Sequence, residues 1–178
     1  MQEISFSSYE SLRTERMLLR APATVDRETL FFMRTDPALN KYIFREAPKT
    51  LADIDVFIKD RLKDRDTSTA IYWVLALKEF PEQYIGAISL WHFSEDRKTA
   101  EVGYDLHPEY QGKGFMGEAL ERVVDFGFNT LDLHMIVAHT HRENKPSRRL
   151  LEQRTFSLTD IKDDIVPTNI VYKLTKDI

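Results

Sequence analysis

The sequence predicts an α/β protein: a mixed β-sheet with helices on its faces. Three observations predict it. Stretches rich in β-branched and aromatic residues cluster first along the chain and then alternate with stretches of helical period. A glycine-bearing junction, His107–Leu120, stands between a strand pattern and a helix pattern. The 178 residues are 42% hydrophobic and 30% charged, with eleven Phe, seven Tyr and two Trp, bulk enough for a core under a polar surface. The length, with no repeat, low-complexity tract or Gly/Ser linker, predicts one domain over residues 1–178.

Glu15–Ala21 (ERMLLRA) reads as the first strand, closed by Pro22. Thr24 or Asp26 is placed to cap a helix running through Arg34, and Thr35-Asp36-Pro37 breaks it. Thr50 is a second N-cap, followed by Leu51, Ile54, Phe57, Ile58 and Leu62 at helical spacing. Ala70–Lys78 and Tyr84–Phe93 read as strands joined through Phe80-Pro81-Glu82, and Lys98–His107 as the next, after the polar turn Ser94–Arg97. Met116, Ala119, Leu120, Val123, Val124 and Phe128 mark a helix to near Thr130. Leu133–Thr140 is a strand, Pro146–Arg154 a short helix, and Phe156–Lys162 with Ile170–Thr175 a closing hairpin.

The absence of cysteine excludes disulfides, thiolate metal sites and a cysteine nucleophile, and agrees with a reducing, cytoplasmic setting. The first twenty residues lack the apolar stretch of a signal peptide, and the chain has no run of about 18 apolar residues, so no membrane span is expected. A net charge of −4 argues against a sequence-independent grip on nucleic acid.

The segment HPEYQGKGFMGEAL (His107–Leu120) holds three of the six glycines. Glycine inside a helix costs roughly 0.5–1 kcal/mol relative to alanine, so three at a helix start need a reason. Small residues there let backbone N–H groups approach an anion, where unpaired donors and the helix dipole favour negative charge. An ordinary glycine-containing turn is the alternative. The P-loop pattern fails because Gly117 is followed by Glu118 and Ala119, and the G-x-G-x-x-G match of Gly112, Gly114 and Gly117 is weak by itself.

With its flanks, this segment resembles the coenzyme A loop of the GNAT acetyltransferase superfamily, Q/R-x-x-G-x-G/A. Gln111, Gly112, Lys113, Gly114 and Phe115 match, and Met116 stands where the pattern has a small residue. Leu12–Pro22 and Ala100–Gly114 are similar to the opening strand and the fourth strand with its loop in the ribosomal-protein N-acetyltransferase branch. Asn144, Ser147, Leu150, Leu151, Glu152 and Phe156 resemble that branch's N-x-x-S-x-x-L-L-E-K-x-G-F signature, with Thr155 replacing the glycine. The resemblance implies a mixed, mostly antiparallel central sheet of about seven strands flanked by helices, splayed between the fourth and fifth.

It also implies acetyl-coenzyme A as cosubstrate, with Leu106, His107, Gln111, Gly112, Lys113, Gly114, Phe115, Met116, Gly117, Asn144 and Ser147 around it. A backbone N–H near Leu106 would serve the thioester oxygen as charge develops. Leu151 occupies the position of many relatives' tyrosine, so Ser147, one turn earlier, is the implied thiolate partner, or a plain helix-terminal serine. Asn144 caps the short helix, bonds pantetheine amides, or both. Glu101 reads as the base, directly or through water, or as an outward-facing strand glutamate. Tyr104 and Trp91 line the acceptor pocket or belong to the core, and Tyr42-Ile43-Phe44 shapes the acceptor entrance or forms a satellite cluster. His107 belongs to the cofactor loop in solvated packing. His139-x-His141 shares one strand face, but no third ligand is evident, so no metal is expected.

The expected reaction is acetyl transfer to a primary amine, a protein N-terminus first and a polyamine, amino acid or aminoglycoside second. A non-catalytic acyl-coenzyme A sensor is the alternative of another class. A homodimer is available by analogy.

Overall fold

The structure is a computed structural model that describes Phe6 and residues 11–176. The expected absence of a leader in residues 1–20 falls partly outside these. Its strands are β1 (Ser11–Arg13), β2 (Met17–Arg20), β3 (Ile71–Leu77), β4 (Gly86–Trp91), β5 (Thr99–Leu106), β6 (Met135–His141), β7 (Ser157–Lys162) and β8 (Asn169–Thr175). The helices are α1 (Arg27–Thr35), α2 (Leu51–Asp66), α3 (Phe115–Asn129) and α4 (Lys145–Gln153). The strands form one sheet in the order β1-β2-β3-β4-β5-β6-β8-β7. Every neighbouring pair is antiparallel except β5 with β6.

Eight strands rather than seven arise because the opening strand is a hairpin: Ser11–Arg13 pairs back on Leu18–Arg20. A three-residue strand that buries only Leu12 carries too little alternation to be read from sequence. Asp26 turns out not to cap α1 with its side chain. Its buried carboxylate reaches back to Arg20 at 2.6 and 2.8 Å and accepts from the Ala23 N–H at 2.8 Å. Thr50 does cap α2, in a reciprocal box with Asp53.

Alternation sorts the sheet into two apolar faces. Trp73, Ile88, Leu90, Ala100, Val102 and Ile136 pack with Ala119, Leu120, Val123 and Phe126 of α3 and Leu151 of α4. Val74, Ala87 and Tyr84 pack on the other face with Leu30 and Met33 of α1 and Ile54 and Ile58 of α2. Residues 36–50, between α1 and α2, run over that second face, where Leu39 joins the cluster.

The single parallel pair opens the sheet. β5 and β6 pair only at Thr99–Met135, Ala100–Ile136 and Glu101–Val137. Beyond these the strands part, so Val102–Leu106 faces Ala138–His141 across an opening that widens towards the strands' C-terminal ends. This is the expected splay.

The turn after α4 is strained. Thr155, in the usual glycine position, has φ +62°, where a β-branched side chain crowds the backbone. Thr155→Gly is expected to stabilise the fold by about 1 kcal/mol, seen as a higher Tm by calorimetry. An unchanged or lower Tm would mean that the Thr155 hydroxyl, 2.7 Å from the Arg154 carbonyl, offsets the strain.

Candidate active site

The glycine loop lies where β5 hands over to α3. Gly114 is the N-cap of α3 with φ +80°, and Gly112 has φ +73°, a conformation that glycine adopts without cost. The first helical bond on this stretch runs from Glu118 N–H to the Gly114 carbonyl at 3.1 Å. The preceding amides of Phe115, Met116 and Gly117 are therefore the orphan donors of a helix N-terminus. A side chain at Gly112 would meet open space within 4 Å, so the loop is uncovered there. The Gln111 side-chain amide donates to the Leu106 carbonyl at 2.9 Å and ties the loop to the end of β5.

Arg16, which sequence reasoning passed over, is a cation on this loop, beside Lys113 in it and Arg154, whose guanidinium bonds the Gly117 carbonyl at 3.4 Å. The Arg16 guanidinium donates to the Lys113 carbonyl at 3.0 Å, pairs with Glu118 at 2.7 Å, and lies 4.2 Å from the Phe115 ring centroid. No spacing signal marks it, because it comes from the hairpin turn before β2. His107 stays with the loop: its ring Nδ1 accepts from the Glu109 N–H at 3.4 Å and the ring lies 6.0 Å from that of Tyr110. The His107 backbone N–H donates to the Ile85 carbonyl at 2.8 Å, and the ring also lies 5.5 Å from that of Phe32 in α1, across the sheet from α3.

Bonded and non-bonded residues alternate along an antiparallel pair. With His107 N–H bonded to β4, the amides of Leu106 and Tyr104 face the other way, into the opening beside β6. The opening thus presents two backbone donors. At the Tyr104 level, α4 contributes Ser147, whose Oγ is 2.9 Å from the Tyr104 hydroxyl. Tyr104 therefore faces α4 and not the α1 side. Burial pushes its phenol up to about 12, against the lowering effect of the Ser147 bond. Asn144 caps α4 by accepting the Ser147 N–H at 3.2 Å; among the described residues its amide nitrogen has no partner.

The opposite face of the opening carries different chemistry. Glu101 lies at the closed end, with its carboxylate 3.0 Å from His92 Nδ1. His92 itself has φ +45° and stacks on Trp91, which is 38% exposed. Asp105 accepts from Arg45 at 3.1 Å and from the Tyr84 hydroxyl at 3.1 Å, while Arg45 also bonds Asn40 and the Met33 carbonyl. This network pins residues 40–45 onto β5. Tyr42 then stacks on His141 at 5.1 Å and Phe44 is 81% exposed, which puts Tyr42-Ile43-Phe44 at the mouth. His139 bonds Asp163 at 2.9 Å. Among the described residues there is no group of three or more side chains able to hold a metal.

Comparison with known proteins agrees with this geometry. Residues 16–156 match the family model described as the acetyltransferase (GNAT) domain. The chain is 31% identical over 151 residues to the uncharacterized N-acetyltransferase p20 of Bacillus licheniformis, covering 83% of this chain and 82% of that one. It is 23% identical over 141 residues to the spermidine N(1)-acetyltransferase of Vibrio cholerae, covering 79% of each. A solved structure of RimL, a ribosomal L7/L12 alpha-N-protein acetyltransferase in complex with coenzyme A, superposes with a TM-score of 0.81 at 15% identity over 93% of this chain and 98% of that one.

Proposed function

We propose, for a chain that belongs to the acetyltransferase (GNAT) domain family and uses acetyl-coenzyme A, that the amine it acetylates is the α-amine of a protein N-terminus. The observation that carries this reading is the state of the carboxylates at the opening. Glu101, Asp105 and Asp163 are each already bonded, to His92, Arg45 and His139. A polyamine brings several ammonium groups, and each needs a free carboxylate or loses its hydration uncompensated. An N-terminus brings one. Its reference pKa of about 7.7–8.0, against about 10.4 for lysine, also leaves less deprotonation to do.

In this reading the pyrophosphate rests on the amides after Gly114, with Arg16 beside them, and pantetheine fills the opening between β5 and β6. The Tyr104 amide, level with Ser147, stabilises the thioester oxygen as it becomes negative, and the Leu106 amide holds pantetheine. The amine's lone pair forms the new C–N bond, the C–S pair leaves with sulfur, and a proton lost from the nitrogen converts the thiolate to thiol.

An acceptor screen followed by coenzyme A release, with mass spectrometry to locate the acetyl group, tests the choice of amine. Lysine-free peptides with different first residues are expected to outpace spermidine and free amino acids by at least about tenfold. If spermidine or lysine side chains react as fast as every such peptide, the acceptor is a small or side-chain amine, in line with the spermidine acetyltransferase relative.

A further inference from the structure

We infer that His139, oriented by Asp163, is the base that takes the proton from the acceptor ammonium. The inference rests on the amine-acetylation reading above. His139 stands on β6 two residues beyond Val137, the last residue paired with β5, so it lines the opening where the strands have parted. Register places its side chain on the same sheet face as Glu101, since alternate residues share a face and Val137 is the partner of Glu101. That is the face under residues 40–45, opposite the one from which Ser147 and Tyr104 approach. An amine entering past Tyr42 and His141 therefore meets His139 on its own side of the thioester, with the thiolate partner on the other.

The ring is held as a base needs to be held. Its Nδ1 is 2.9 Å from Asp163 Oδ2, and among the described residues Nε2 has no hydrogen-bond partner. Asp163 is itself fixed. It accepts from the backbone N–H groups of Ile165 and Val166 at 3.0 and 2.9 Å and from the Asn169 amide at 2.9 Å. Burial pushes this carboxyl up, but the bonds from His139, Val166, Asn169 and Ile165 outweigh it and hold it well below the usual carboxylate range. A permanently ionised carboxylate on Nδ1 keeps the proton there and leaves Nε2 as the acceptor. The His139 side chain is 28% exposed, so solvent can receive the proton afterwards.

Glu101 has one oxygen, Oε2, engaged by His92, and it lies at the closed end of the opening, where β5 and β6 still pair, whereas His139 lies beyond that pairing. The charged and titratable groups facing His139 are Asp163 from the β7–β8 turn, Glu101 with its bonded His92 across the opening, Lys173 by register on β8, and His141 with the stacked Tyr42 beyond it. The proton balance is simple. The ammonium N–H breaks to His139 Nε2, and the freed lone pair attacks the thioester carbon. The nitrogen's second proton, made acidic as the C–N bond forms, passes to the thiolate as the C–S bond breaks with its electrons on sulfur. The products are the amide and the coenzyme A thiol, and the imidazolium later releases its own proton to water.

The test uses the whole chain, a lysine-free peptide with a free α-amine, and an aromatic amine that is already unprotonated at neutral pH. General-base help contributes about 10²–10⁴-fold, and water substitutes in part. His139→Gln is therefore expected to lower kcat for the peptide by about ten- to a hundredfold at pH 6.5. The deficit should close to within about threefold at pH 9.5, above the α-amine's reference pKa of about 7.7–8.0. The aromatic amine, which has no proton to lose before attack, should react at the wild-type rate, and the KM for acetyl-coenzyme A should stay put. Asp163→Asn should show the same pH-dependent pattern at smaller amplitude. An equal loss at every pH with both acceptors would make His139 a packing residue, and no loss would leave it without a role; either result overturns the inference. If the wild-type chain releases no coenzyme A with any amine, the acceptor reading fails first and takes this inference with it.

Discussion

Gly114→Asp is expected to weaken acetyl-coenzyme A binding by about a hundredfold or more while leaving a cooperative melt. Setting a carboxylate against phosphate places like charges together in a partly dry site, which costs several kcal/mol, and each 1.4 kcal/mol is about tenfold in affinity. Gly114 has φ +80° at the N-cap of α3. Asp and Asn are the side chains that tolerate this left-handed region best, and both are favoured N-caps, so the fold should survive. Gly114→Asn supplies the control of equal shape and no charge. Calorimetry should find the Asn variant within about tenfold of wild type and the Asp variant far weaker. If both lose affinity equally, strain and not phosphate proximity governs the position. If neither does, the pyrophosphate lies elsewhere.

Removing either hydroxyl of the Tyr104–Ser147 pair should slow turnover by about ten- to a hundredfold, because a hydrogen bond to a charged group is worth about 1.5–3 kcal/mol. The two hydroxyl oxygens are 2.9 Å apart, and burial holds the phenol at about 12. A thiolate whose conjugate acid titrates near 8.5 does not take a proton outright from so weak an acid. The pair therefore acts by hydrogen bonding to the leaving sulfur, and its effect should be flat across pH 6–9, unlike that of His139. Tyr104→Phe and Ser147→Ala should each lower kcat with little change in the KM for acetyl-coenzyme A. The double variant should lose no more than about threefold beyond the worse single, since members of one hydrogen-bonded unit are non-additive. Fully multiplicative losses would show that they act separately. A wild-type rate for Ser147→Ala, with chemistry shown to be rate-limiting, would reduce Ser147 to the capped first turn of α4.

Much of this site was legible in the chain itself. The strand and helix stretches correspond to β2–β8 and α1–α4, because alternation and helical period are local patterns that burial on one face imposes directly. The glycines of the loop announced themselves because a left-handed N-cap and an open approach select for the absence of a side chain. Asn144 and Ser147 were readable through the family signature they resemble, and Asn144 also as an N-cap three residues ahead of Ser147. Arg16 and His92 were not: one sits in a hairpin turn and the other in a strained residue past the end of β4, and neither belongs to a periodic pattern. Glu101 was picked out, but its occupied carboxylate was invisible without His92 in place.

The sequence by itself determined the element types and the glycine loop at the start of a helix, all of which depend on residues within a turn or two of one another. Which groups meet was decided only by the tertiary structure. Tyr104 and Ser147 are 43 residues apart, His139 and Asp163 24, Arg45 and Asp105 60. Each meeting depends on sheet register and on which face a strand residue takes, and a shift of one residue would send Tyr104, Asp105 and His139 to the other side of the sheet, away from their partners. The early end of β5–β6 pairing at Glu101 and Val137, which opens the site, is likewise a relation between two strands distant in sequence, and no local run of residues carries it.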